Sequence, residues 1–304
     1  TKTSDIMLNV CIALLPALVA GCIFFGMRSL IVTAICVGTA VFSEYICRKL
    51  MKSDNTIGDL SAVVTGIILA MNLPVTIPLW IAALGSFIAI AVVKQLFGGL
   101  GQNFANPAIV ARIILGLGYT GLMTAWTFPT PISGDAVATA TPLAVYAAGG
   151  APNYMDMFIG TTGGVLGETS ALALIIGFVY LVVRKVISPT IPVTYVATVA
   201  ILAVLLGVDP VVYVLGGGLL LGAIFMATDY VTSPYTEKGK IIFGIGLGVI
   251  SNHVALVQVL AVGIGAGGLV AQIQTGMIDT ITLCSTFQHL GSNNRTKDLV
   301  TGLN

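Results

Sequence analysis

The sequence predicts an all-α polytopic membrane protein, and three observations carry that prediction. Of 304 residues, 57% are hydrophobic and 8% are charged, whereas a soluble domain carries about 25% charged residues to satisfy water at its surface. The mean hydropathy is +1.02. Stretches free of Asp, Glu, Lys and Arg and long enough to cross about 30 Å of hydrocarbon recur at 6–27, 60–93, 113–134, 186–208, 210–228 and 241–278. The 36 glycines fit the same class, because helices in lipid associate through small residues that let backbones approach. A very apolar soluble core is the competing reading, and it lacks an amphipathic face to offer solvent. The chain is therefore expected to be a single transmembrane domain over 1–304.

The elements follow in order. A first helix is expected at 6–25 and a second at 30–47, closed by Arg48, Lys49 and Lys52. Residues 60–93 are too long for one span and are interrupted by Asn72-Leu73-Pro74 and Pro78, which predicts a short helix, a turn and a second helix. Such a break marks a midplane binding site in many transporters, and a plain lipid-facing kink is the alternative. A Gly-rich connector over 94–106 leads to Pro107, well suited to the first turn of a helix ending near Trp126. The longest hydrophilic interruption, 128–167, precedes helices at 168–183, 190–207 and 210–227. After a polar connector at 229–240, the run 241–278 has room for two helices with a turn at 263–268. The sum is about ten transmembrane helices, some short or broken.

Lys and Arg beside the spans set the orientation. With a cytoplasmic N-terminus, Lys2, Arg48, Lys49, Lys52, Lys94, Arg184, Lys185, Lys238, Lys240, Arg295 and Lys297 share one side, and Arg28 stands on the other. This places 128–167 outside the cytoplasm. A net charge of +1 argues against nucleic acid as a partner, since there is no basic face to meet phosphates. The five cysteines lack C-x-x-C spacing, so packing is expected of them rather than disulfides or zinc. No cleavable signal peptide is expected, because the first apolar run is too long and lacks an A-x-A exit.

Three polar or Gly-rich segments stand at expected membrane boundaries: 58–66 (GDLSAVVTG), 94–107 (KQLFGGLGQNFANP) and 225–234 (FMATDYVTSP). Glycine backbone can approach a phosphate or planar ring closely, and Ser, Thr and Asn can donate to it. Ordinary turn chemistry explains the same residues equally well. Together with Asp5-Ile6-Met7-Leu8 and Ala13-Leu14-Leu15-Pro16-Ala17, these segments resemble the family that joins the D subunit of the Rnf ion-translocating oxidoreductase complex to the B subunit of the sodium-pumping NADH:quinone reductase. The resemblance covers about residues 4–250 and sits nearer the Rnf member. It implies a fold similar to urea-channel architecture, with two inverted repeats.

The resemblance also implies an FMN joined through a phosphoester to the last threonine of Asp-x-x-Ser/Ala-x-Ala-Thr, often followed by Pro-Leu. Here 135–143 reads DAVATATPL, which makes Thr141 the attachment site, with Asp135, Ala140 and Pro142 in the motif and Thr139 a competitor. A threonine hydroxyl needs activation to act as a nucleophile, and no His or Cys lies nearby, which agrees with a separate flavin transferase on the outer side. The family's role would make this a flavoprotein component in the plasma membrane of a bacterium or archaeon. It would pass electrons between reduced ferredoxin and NAD, with Na+ or H+ export, alongside the other membrane subunits and the peripheral iron–sulfur and flavin subunits. A noncovalent riboflavin is expected against Lys94, Gln95, Asn103, Asn106, Thr232 and Ser233. No metal site is firm. Among the ionisable residues in apolar segments (Glu44, Asp59, Arg112, Glu168, Asp209, Asp229 and His253), Asp59 and Asp229 are the candidates for a cation or for ordering a flavin site, and span-end solvation is expected to explain most of the others. Residues 251–304 depart from the family pattern, which true divergence or a shifted reading frame would both produce. The rival functions are a channel or carrier for a small polar solute, the quinone-reductase relative's role, and a scaffold for redox partners.

Overall fold

The computed structural model describes residues 3–54, 56–103, 105–127 and 140–263, with side chains to 252. Among the described residues two helices are long and apolar enough to cross a membrane, α1 (Thr3–Phe25) and α2 (Met27–Leu50). Gly26 joins them with φ of 73°, a left-handed conformation that favours glycine. Both leave large apolar side chains such as Leu8, Leu15, Ile23 and Phe42 exposed, as lipid contact requires.

The expected break after a half-length helix is present. Helix α3 (Ser61–Met71) stops at Asn72, and α4 (Leu79–Phe87) continues without interruption into a π-helical stretch, Ile88–Gln95. The free backbone groups at the break are met by protein. The Asn72 amide donates to Ile68 O at 2.7 Å, and the Gly167 and Leu166 amides donate to Met71 O and Leu73 O at 2.9 and 3.4 Å. Arg28, the lone cation expected on the outer side, donates from Nε to Val75 O at 2.8 Å and from its terminal nitrogen to Thr76 O and Ile77 O, each at 3.3 Å. A guanidinium fork thus caps the carbonyls that the turn leaves without helical partners.

Helix α5 (Pro107–Gly118) is shorter than expected and is followed by a single turn, α6 (Thr120–Met123). From residue 140, the segment read as a loop carries α7 (Pro142–Ala147) and α8 (Tyr154–Ile159) before returning to the α3 break. Helices α9 (Ala171–Val183) and α10 (Thr190–Leu205) come next. The single helix expected at 210–227 is instead broken into α11 (Pro210–Leu215), α12 (Leu219–Leu221) and a second π-helical stretch, Gly222–Met226. The cause is local: Gly216-Gly217-Gly218 cannot hold a helix, and Gly217 turns at φ of 63°. The last described helix, α13 (Glu237–Gly263), packs on α10 and α7. The turn expected at 263–268 lies almost wholly outside the described residues.

Among the described residues two large apolar cores result, beside a small cluster of Ala40, Ala62 and Ile90. One joins α1, α3, α4, α5 and α9, and includes Leu14, Leu69, Ile81, Leu115 and Leu174. The other joins α10, α11 and α13 through Tyr195, Tyr213 and Phe243, with Leu143 and Tyr146 of α7 against it. Both π-helical stretches end at the seam where the first core meets the connectors.

Candidate functional site

A cavity of about 770 Å3, counting its open mouth, lies where five segment ends converge. Its apolar walls are Ile6, Met7 and Val10 of α1, Ile68 of α3, Leu181 of α9, and Ile224 and Phe225 of the second π-helical stretch. Its polar groups are Ser61, Thr65, Lys94, Asn103, Asn106, Thr228, Asp229 and Tyr230. A mainly apolar hollow with a few convergent donors and acceptors is the usual form of a small-molecule site. Every one of these segments belongs to the side that the Lys and Arg count makes cytoplasmic.

Local sequence explains the convergence. In the connector after the first π-helical stretch, Gly98, Gly99 and Gly101 adopt φ of 113°, 101° and 91°. A Cβ at Gly99 would lie 2.3 Å from the Arg48 guanidinium. Asn106 caps α5 by accepting from the Ala108 amide at 3.1 Å, and Pro107 fills the first helical position. Asn103 donates to Ala105 O at 2.9 Å. These bonds use one amide atom of each asparagine.

Behind the wall stands a buried ion pair. Lys94 Nζ donates to Glu44 Oε1 and Oε2 at 3.1 and 3.2 Å and to Ser61 Oγ at 2.6 Å, with Lys94 1% exposed and Glu44 fully buried. Glu44 Oε1 also accepts from Gln95 Nε2 at 2.9 Å and Thr56 Oγ1 at 2.7 Å. This corrects the expectation that span-end solvation accounts for Glu44: two ionic groups persist in an apolar interior because each is saturated with partners. A lone Glu in an otherwise apolar helix was a readable signal, but its partner was not. Arg112 is likewise interior, 3% exposed, with the Met123 sulfur 3.9 Å from its terminal nitrogen.

The residues expected around a second flavin divide. Lys94, Asn103 and Asn106 line the cavity. Gln95 turns its amide to Glu44 and away from it, and Thr232 is buried with its hydroxyl on Asp229 Oδ2 at 3.3 Å. Ser233 lines a neighbouring hollow with Tyr235 and Lys240. Of the two cation candidates, Asp229 lines the cavity, whereas Asp59 Oδ1 is occupied by the Ser61 amide at 2.8 Å and by the Ser61 hydroxyl. Among the described residues no cluster of His, Cys, Asp and Glu is suited to hold a metal. Ser61, Thr65, Thr228 and Tyr230 join the lining unannounced; they belong to the singled-out segments, but their facing is a tertiary property.

Thr141 stands elsewhere, at the start of α7. It is 9% exposed beside exposed Ala140, and its Oγ accepts from the Ala144 amide at 3.4 Å. Pro142 occupies the first helical position. Asp135 and Thr139 lie outside the described residues. Helix α7 is anchored by Tyr146, whose ring meets Tyr213 edge-on at 6.5 Å and whose hydroxyl accepts from the Asp209 amide at 3.0 Å. Burial pushes the Asp209 carboxyl up, but the Tyr154 hydroxyl and the Val211 and Val212 amides outweigh it and hold the carboxyl below its usual range. The Thr141 position suits a phosphoester: the hydroxyl lies at a surface margin, and an esterified oxygen keeps a lone pair for Ala144.

Comparisons with known proteins agree across the chain. The family model described as the NQR2, RnfD, RnfE family matches residues 1–288. The D subunit of the Na(+)-translocating ferredoxin:NAD(+) oxidoreductase complex of Acetobacterium woodii is 47% identical over 286 residues, covering 92% of this chain and 89% of that protein. The D subunit of the proton-translocating ferredoxin:NAD(+) oxidoreductase complex of Clostridium ljungdahlii is 40% identical, covering 92% and 90%. The D subunit of the ion-translocating oxidoreductase complex of Stutzerimonas stutzeri is 36% identical, covering 82% of each.

Proposed function

The chain belongs to the NQR2, RnfD, RnfE family, and on that premise we propose that it is the flavin-carrying membrane subunit of an ion-translocating ferredoxin:NAD oxidoreductase complex. The observation that carries this reading is the likeness, over 92% of the chain, to the D subunit of such a complex. FMN is held as a phosphoester on Thr141, installed by a flavin transferase, and riboflavin occupies the cavity beside Lys94, Asn103 and Asn106. Bound flavin supplies one- and two-electron transfer, and the protein supplies position, a dry setting and charge. Asn103 and Asn106 orient the occupant, Phe225 and Ile224 exclude water, and Lys94 presents a fixed positive charge. The coupled ion is Na+ or H+, and the other subunits of the complex are the electron partners.

The chain spans the plasma membrane about ten times in two inverted repeats. Support comes from the recurrence of one device: a broken helix that resumes, becomes π-helical and ends at the cavity, once at Ile88–Gln95 and once at Gly222–Met226. The N-terminus is cytoplasmic and Thr141 faces outward.

The test is flavin fluorescence of the protein on a denaturing gel. Wild-type chain matured with its transferase fluoresces, Thr141→Ala is dark, and Thr141→Ser keeps the hydroxyl class. Fluorescence surviving in Thr141→Ala removes the attachment site, and none in wild type removes covalent FMN. The broken helices also favour a second reading, a small-solute carrier. Solute flux through the purified, flavin-free chain in liposomes would support it.

A further inference from the structure

On the reading that the cavity holds a noncovalent flavin, we propose that the Lys94 ammonium raises the reduction potential of that flavin, with Glu44 as the counterweight that limits the effect. The geometry is asymmetric. Lys94 and Ser61 line the cavity and Glu44 does not. The carboxylate sits behind them, and its charge is divided among Lys94, Gln95 Nε2 and Thr56 Oγ1. The pair is thus a fixed dipole with Lys94, and not Glu44, on the cavity side.

Water cannot rotate to cancel that dipole, since Lys94 is 1% exposed and Glu44 fully buried. Charges in such a setting act far more strongly than at a surface. An isoalloxazine ring gains negative charge on reduction, so a facing cation stabilises the reduced form more than the oxidised one. On the other connector, Asp229 brings the opposite sign, but its carboxylate is engaged by the Val231 amide at 3.2 Å and the Thr232 hydroxyl at 3.3 Å. One electron enters the ring from a reduced flavin or iron–sulfur centre of the complex and one leaves to the next carrier. No bond is made or broken, and Lys94 supplies the compensating charge without giving up a proton.

The two partners predict shifts of opposite sign, which a merely structural role would not produce. Either single substitution strands the other buried charge, but Glu44→Gln leaves the Lys94 ammonium the Ser61 hydroxyl as an acceptor, so the informative variants are Glu44→Gln and the double variant Lys94→Gln/Glu44→Gln, tested in the whole complex. Acid-extractable riboflavin, separated chromatographically from the FMN of the peripheral subunits, is quantified first, and the flavin transition whose amplitude matches it is then titrated spectroelectrochemically. Glu44→Gln is expected to raise the potential and the double variant to lower it. Each shift corresponds to about tenfold in the reduced-to-oxidised ratio, or about 59 mV for one electron. If the double variant loses its extractable flavin, Glu44→Gln decides by the same upward shift. An unmoved potential, or shifts of the same sign, overturns the role of Lys94 and leaves the cavity reading intact. Absence of extractable riboflavin in the wild-type complex overturns both.

Discussion

Lys94 is among the largest side chains fully buried in this protein, and its ammonium has three oxygen partners. Removing one member of such a pair costs about 3–5 kcal/mol, because the other charge is stranded, whereas neutralising both is nearly free. Thermal unfolding of the detergent-solubilised protein should therefore show Lys94→Met strongly destabilised and Lys94→Gln/Glu44→Gln close to wild type. Equal losses in both would show that the pair matters through packing rather than charge. Half of this site was legible in the sequence. Lys94, Asn103 and Asn106 stood out because a polar Gly-rich run interrupts an apolar chain. Glu44 stood out too, but it is fifty positions from Lys94 and only the fold brings them together. Gln95 and Thr232 fall outside the cavity lining for the same reason: residue type announces a hydrogen-bonding group but not the direction in which it points.

Helix contacts rest on glycines that have no room for a methyl group. A Cβ on Gly66 of α3 would lie 2.8 Å from the Cα of Val37 in α2, and backbone cannot yield as a side chain can. Gly38, on α2 itself, faces open space. Gly66→Ala is expected to cost about 1–3 kcal/mol, and Gly38→Ala to be neutral or slightly stabilising through helix propensity, read from the same unfolding curves. Equal effects would contradict the close α2–α3 approach. Helix existence was readable from apolar runs, and the α3 break from Asn72-Leu73-Pro74. The second break was missed although Gly216-Gly217-Gly218 signalled it, because its flanks are apolar enough to read as one span. The π-helical stretches left no trace in composition, since Ile, Ala and Val serve either helix type.

The whole molecule separates two sets of segment ends. The cavity gathers the N-terminal end of α1, the 96–106 connector, the end of α9 and residues 227–231. Arg28, the Val75–Ile77 carbonyls and the Thr127–Gly164 bridge belong to the other set. The Lys and Arg count groups these ends in the same two sets, and which set is cytoplasmic belongs to the proposed topology. In intact cells, with the native cysteines replaced, a membrane-impermeant maleimide should label Ala151→Cys. Ser53→Cys should react only after the membrane is opened, and the reverse pattern would invert the topology.

The proposed function centres on Thr141 carrying a flavin nucleotide at the outer margin of the membrane. Mass spectrometry of the peptide that spans Thr139 and Thr141, taken from chain matured in its own complex, tests this most directly. The peptide should be heavier by one FMN ester, with fragmentation assigning the added mass to Thr141. An unmodified peptide, or the added mass on Thr139, would contradict the account.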